Sequence, residues 1–157
     1  YPVGIYSAHY TLATLPEGAK VAIPNDPSNG ARALLLLAKA GLITLKHMDP
    51  DTVTMSDITG NPKKLQLVPM DAAQLPRILP DVGLAVINTN YSLLAGLVPS
   101  KDALVLEDHD SPYANIVVVR AGFEQDPRVK ALVEALHAPE VVAKAQELFH
   151  GQAIQAW

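Results

Sequence analysis

Ile23-Pro24-Asn25-Asp26-Pro27-Ser28-Asn29-Gly30-Ala31-Arg32 carries the end of a strand directly into the start of a helix. Val21 to Pro24 reads as buried strand, Asp26 as the N-cap and Pro27 as the first helical residue, where a missing N–H is harmless. Ser28 and Asn29 put polar groups in the first turn. There, free backbone N–H groups and a partial positive charge stabilise a carboxylate or phosphate. Arg32 lies one turn on, on the face of Ser28 and Asn29, and adds a two-pronged donor. The plain alternative is a well-capped helix with a surface arginine, and from this stretch alone it is the commoner arrangement.

Strand-like and helix-like segments alternate on either side of this junction, which predicts an α/β fold with a mainly parallel sheet flanked by helices. Tyr1 to Tyr6, Lys20 to Pro24, Gln66 to Met70 and Leu84 to Asn88 read as strands. Leu42 to Lys46 and Leu104 to Glu107 are shorter extended candidates. Asn115 to Arg120, with four consecutive β-branched residues, is the most strand-like run of all. The first helix spans Pro27 to Ala40, turns Leu34, Leu35, Leu37, Ala38 and Leu42 to the core, and stops at Gly41. Asp71 caps a short helix over 72–79 that contains Pro76. A polar corner leads to another helix at Tyr91 to Ala95, and Pro127 to His137 and Glu140 to Phe149 close the chain. The segment 47–64 is rich in Asp, Thr, Pro and Gly and reads as a loop with one helical turn at Met55 to Thr59.

The 157 residues, 49% of them apolar, suffice for one ordinary core or two small lobes sharing a hinge. A formal charge of −4 provides no basic field, and two phenylalanines, five tyrosines and one tryptophan offer little stacking surface, which argues against nucleic acid as a partner. The absence of cysteine excludes disulfides and thiol chemistry without identifying a compartment. The longest apolar run, Ala33 to Ala38, is far short of the roughly 20 residues that span a bilayer. Tyr1 at the beginning, already strand-like, reads as a cut in a longer protein, so that any targeting signal or lipid anchor would precede it.

Reactive chemistry finds little support. There is no G-x-S-x-G elbow, no G-x-G-x-x-G or Walker pattern, and no pair of the five histidines has the spacing of a helical metal site. Glu107, Asp108, His109 and Asp110 read as a solvated acidic loop rather than a cation site. Leu132, Val133, Leu136, Val141, Val142, Ala145 and Leu148 recur at helical spacing and read as packing residues. What remains is a set of asparagines, an arginine, tyrosines and a helix start, an inventory that holds a small zwitterion better than it transforms one. Asn25 and Asn88 sit at the carboxyl ends of predicted strands, where open α/β sheets bind ligands, and Asn115 starts one. Asparagine is also a common turn residue.

IPNDPSN followed by RALLLLAKAGLI, then AAQLPR, INTNY, EDHDSPYANIVVVR and the closing GQAIQAW resemble, in order and over nearly the whole chain, the methionine-binding lipoproteins of the NlpA lipoprotein family. The resemblance implies a two-lobed fold like that of periplasmic binding proteins, with methionine captured at a hinge and delivered to an ABC transporter permease without catalysis or cofactor. It implies a periplasmic or cell-surface location through a lipid anchor on a preceding part. It places residues 1–18 in a partial first lobe and hinge, 19–111 in a complete second lobe, and 112–157 back in the first lobe. Motif by motif, Asn25 and Arg32 would hold the ligand carboxylate and its surroundings, and Asn88 and Asn115 the amino and carboxylate groups. Tyr1, Asn29, Asn90 and Tyr91 follow as further candidates, Tyr1 as an aromatic wall for the thioether. His109 stands where many members carry lysine. The alternatives are a lobe for another small amino acid, dipeptide or anion, and an interaction module without ligand. Unpaired strand edges at 1–6 and 115–120 would favour association with the missing lobe segment or with a second copy.

Overall fold

A computed structural model describes residues 1–108, 113–153 and 155. His109, Asp110, Ser111 and Pro112 lie outside it, as do Ile154, Ala156 and Trp157; with them go part of the acidic loop and part of the closing motif. The described chain divides into two units, residues 2–108, and Tyr1 together with the residues from Tyr113 onwards.

The larger unit is built on a five-stranded sheet. Its strands are β1 (Val3–Tyr6), β2 (Lys20–Pro24), β5 (Gln66–Met70), β6 (Leu84–Asn88) and β7 (Val105–Leu106), in the order β5-β2-β6-β1-β7. β2 pairs in parallel with β5 and β6, whereas β1 runs antiparallel between β6 and β7, so four strands point one way and one the other. Both faces of β1, β2 and β6 are covered, which is why these strands read as continuous apolar runs rather than alternating ones. Val3, Ile5, Val21, Ile23, Leu84 and Val86 share one core with helix α1 (Pro27–Lys39), while Tyr6, Ala22, Ala85 and Ile87 share the other with α2 (Leu75–Ile78). Gly4 leaves room for the Tyr6 ring two residues along the same face, since a Cβ there would lie 2.8 Å from a ring carbon.

Residues 2–18, expected to form part of the first lobe and the hinge, fall within this unit: every residue of β1 is in register with β6, from Val3 opposite Asn88 to Tyr6 opposite Ala85. α1 begins at the expected cap and proline and gives way at Gly41, whose φ of 72° suits glycine. Its buried stripe is Ala31, Ala33, Leu34, Leu36 and Leu37. Leu35 and Ala38, expected inside, are only partly buried at the margin of the core. The helix expected over 72–79 is broken into a 3-10 turn at Ala72–Gln74, the single turn α2 and a second 3-10 turn at Leu79–Asp81, with Pro76 in the first turn of α2, where it removes no helical hydrogen bond. The loop over 47–64 contains a 3-10 turn at Met55–Asp57 and a strand, β4 (Ile58–Gly60), paired antiparallel with β3 (Thr44–Leu45). α3 (Thr89–Leu94) and the short α4 (Pro99–Asp102) complete the unit.

The smaller unit holds α5 (Pro127–Leu136), capped by Asp126, and α6 (Pro139–Leu148). Tyr1 lies against Phe149, ring centroids 4.7 Å apart. Asn115 to Arg120 is not a strand here: its own unit contains no described strand to supply a hydrogen-bonding ladder, and Ile116 and Val118 are 78% and 80% exposed. β-branched composition favours a pleated surface only where another backbone completes it. No residue of α5 or α6 is buried, so Leu132, Leu136, Val141 and Leu148, read as packing residues, are exposed instead. Two ten-residue helices with no described strand in their own unit cannot enclose their apolar stripes.

Candidate functional site

The direction of β1 creates the site. Because β1 is antiparallel to its neighbours, its first residue lies beside the carboxyl ends of β6 and β7, the end at which β2 also runs into α1. Val3 is opposite Asn88 on one side, and on the other its carbonyl accepts from the Glu107 N–H at 2.9 Å. Asn25, Arg32, Asn88 and Glu107 thus come to one end of the sheet, the end where open α/β sheets take ligands.

Arg32 and Glu107 form a fork. Nε donates to both carboxylate oxygens, at 2.8 and 2.9 Å, and Nη2 donates to Oε2, while the Val3 N–H donates to Oε2 at 3.2 Å. Their side chains are 11% and 14% exposed, so the pair sits nearly out of water. Glu107 was not singled out from the sequence except within an acidic run. The faint signal was a carboxylate directly after a short apolar strand. Lys39 and Asp108 pair on the exposed side of α1.

The helix start answers the question left open by its sequence. Asp26 Oδ1 accepts from the Asn29 N–H at 3.0 Å, and the Asp26 carbonyl accepts from the Gly30 N–H at 2.8 Å. The cap carboxylate thus meets a first-turn N–H, as the reading of Asp26 as the N-cap predicts. Asn29 is engaged at both ends of its amide: Nδ2 donates to the two Asp26 carboxylate oxygens, each at 3.1 Å, and Oδ1 accepts from Asn88 Nδ2 at 2.7 Å. Asn88 Oδ1 is buried and meets no donor among the described residues.

Asn25 is exposed, its N–H donating to the Met70 carbonyl at 2.9 Å. It borders a recess of 160 Å³ on the β5 side of α1, walled by Ile23, Pro27, Ala31, Leu34, Val53 and Met55. The 3-10 turn that brings Met55 there is held by Asp57, whose Oδ2 accepts from the Thr54 N–H and hydroxyl, both at 2.9 Å. These bonds favour the ionised form and hold the Asp57 carboxyl below its ordinary value of 3.8. A carboxyl depressed by folding contributes order above the unfolded value and loses it as pH falls through the folded one. In a carbon-detected NMR titration, Asp57 is expected to titrate below 3.8, with the Thr54 amide losing its protection across the same step. A midpoint at or above that value rules the arrangement out.

Of the remaining sequence candidates, Asn90 is exposed in the first turn of α3, and Tyr91 packs against the core beneath α2. Tyr1 and Asn115 belong to the smaller unit. Among the described residues no group of histidines and carboxylates is arranged to hold a metal ion, and no helix is long and apolar enough to cross a membrane.

Known proteins share this architecture. The chain is 45% identical to the D-methionine-binding lipoprotein MetQ of Salmonella typhi, matching along all of its own length and 59% of the relative's. It therefore spans about three fifths of that curated relative. Among solved structures, a periplasmic substrate-binding protein of an ABC transporter from Coxiella burnetii is 55% identical with a TM-score of 0.91, over 99% of this chain and 66% of that one. A nutrient-binding protein from Burkholderia cenocepacia, bound to methionine, is 49% identical with a TM-score of 0.91, again over 99% and 66%. These neighbours share the α/β fold with a mostly parallel sheet described above. The family model for NlpA lipoprotein matches residues 1–157, and the chain belongs to the NlpA lipoprotein family.

Proposed function

We propose that this chain is part of a solute-binding protein that captures methionine outside the cytoplasm and hands it to the permease of an ABC importer, without turnover and without a cofactor. The observation that carries the reading is the 49% identity, over 99% of this chain, to a protein whose structure holds methionine. In this reading residues 2–108 are the second lobe, and Tyr1 with the residues from Tyr113 onwards belong to the first, whose remainder lies in the length that the relatives have beyond this chain. The parent protein would be tethered by a lipid anchor in the periplasm or at the cell surface.

The polar groups suit a zwitterion. Arg32, held in place by Glu107, supplies positive charge for the carboxylate, and Asn88 and Asn115 supply amides that serve as donor or acceptor for the carboxylate and ammonium groups. Closure of two lobes removes water from these contacts and strengthens them. Asn25 and Asn90 border the same end of the sheet, Asn29 backs Asn88, and Tyr91 supports the site from the core. Tyr1 offers an aromatic surface to the thioether.

Calorimetry on the full-length protein tests this. Methionine is expected to bind, and Asn115→Ala is expected to weaken it by about 2 kcal/mol, since a buried charged partner is left unsatisfied. Asn115 is exposed and stands outside the Arg32–Glu107 pair, so its removal leaves that pair intact. Absence of methionine binding in the full-length protein would overturn the assignment. Unchanged affinity in Asn115→Ala would remove that residue from the site.

A further inference from the structure

We propose that Asp26 and Asn29 are positioning residues that fix the polarity of the Asn88 amide, and so make this site select ligands carrying an ammonium group; the inference rests on the zwitterion site proposed above. An asparagine amide presents a donor on one side and an acceptor on the other, and the two ends are nearly the same size. Left alone, such a group turns to suit either kind of ligand. Here it cannot. The Asp26 carboxylate only accepts, and it already receives the Asn29 N–H at 3.0 Å and Asn29 Nδ2 at 3.1 Å from each oxygen. Asn29 is thereby obliged to turn Oδ1 toward Asn88, and Asn88 to answer with Nδ2, at 2.7 Å. Asn88 Oδ1 then faces the other way, buried and with no donor among the described residues. A buried acceptor held in that state is set to receive a donor, and a cationic N–H donor makes the stronger bond.

The relay joins segments far apart in the chain, since Asn29 and Asn88 are 59 positions apart. It also adds a negative charge behind the amide, which favours an ammonium over a neutral group at the same place. Its polarity has one source. If Asp26 becomes an amide, it still caps the helix through its oxygen, but it also offers a donor to Asn29, and both relay directions become available.

The test compares methionine with its des-amino analogue, which keeps the carboxylate and thioether but lacks the ammonium, by calorimetry on the full-length protein. Wild-type protein is expected to prefer methionine. Asp26→Asn is expected to lower the ratio of the two affinities by about tenfold, and Asn29→Ala, which cuts the relay in the middle, by a similar factor. Thermal melting of each variant is recorded alongside, and Asn29→Ala carries the test if Asp26→Asn does not fold. A merely structural role would weaken both ligands together and leave the ratio unchanged, and that result in a folded variant overturns the inference. Wild-type protein that binds neither ligand overturns instead the proposed function beneath it, so the two failures are distinct.

Discussion

Glu107→Ala is expected to lower the stability of the 2–108 unit by about 3 kcal/mol. Removing one partner of a buried ion pair costs roughly 3–5 kcal/mol, because the other charge stays behind without water or counterion. The residual exposure of Arg32 and Glu107, 11% and 14%, lets some water reach the guanidinium once Glu107 is removed and places the effect at the lower end. The Val3 N–H also loses its carboxylate acceptor at the start of β1. Urea unfolding followed by circular dichroism measures the change. Replacing both partners, Arg32→Met with Glu107→Leu, is expected to recover most of the loss, because neither member of the pair is then left charged and the apolar groups fill the same space. An unaltered midpoint for Glu107→Ala would show that the fork contributes nothing to the fold. The experiment also separates two roles of Arg32. If Glu107→Ala folds yet binds methionine less tightly, the fork orients the guanidinium for ligand as well as holding the sheet end together.

The central strands were legible because physics leaves few alternatives for them. Lys20–Pro24, Gln66–Met70 and Leu84–Asn88 have the bounds read from the sequence, since four consecutive apolar residues between turn residues fit a short strand. α1 was legible from Asp26, Pro27 and Gly41. The β3–β4 pairing was not: Leu42 to Lys46, which contains β3, reads as extended, but Ile58–Gly60 is too short for periodicity to show, and the pairing depends on the chain between them. Asn115 to Arg120 failed in the opposite direction: its composition states a preference that only a neighbouring backbone can satisfy. The direction of β1 was illegible for a similar reason, because nothing in Val3-Gly4-Ile5-Tyr6 says which strand it will lie against.

The site divides along the same line. Residue types and the ends of strands and helices point to Asn25, Arg32 and Asn88. What those residues do to one another depends on contacts between distant segments. Arg32 meets Glu107 across 75 positions, and Asn88 meets Asn29 across 59. The sequence marks Asp26 as the helix cap, and the fold also makes its carboxylate the anchor of a relay through Asn29. Sequence reading finds the members of such a network more readily than its direction, because direction is set by hydrogen-bond donors and acceptors brought together by the sheet.

Leu37→Ala is expected to cost the same unit about 3 kcal/mol, within the roughly 2–5 kcal/mol seen for removing a buried leucine side chain. Leu37 is fully buried on the inner stripe of α1, in the cluster formed with Ile5, Val21, Ile23, Leu34 and Val86. The cavity left behind is bounded by strands locked on both sides by ladders, so little of it can close. Leu94 provides the contrast. It is also a leucine in a helix, at the end of α3, but is 84% exposed, and Leu94→Ala is expected to change stability by no more than about 0.5 kcal/mol. Urea midpoints of the two variants measure the difference directly. Equal effects would mean that α1 does not seat on the sheet as described. Arg32 and Asn29 would then lose their shared scaffold, because the helix that buries Leu37 is the one that brings both to the carboxyl ends of β6 and β7. Ligand affinity should therefore follow the stability of this core, falling in Leu37→Ala at temperatures where its unfolded fraction becomes appreciable and staying unchanged in Leu94→Ala.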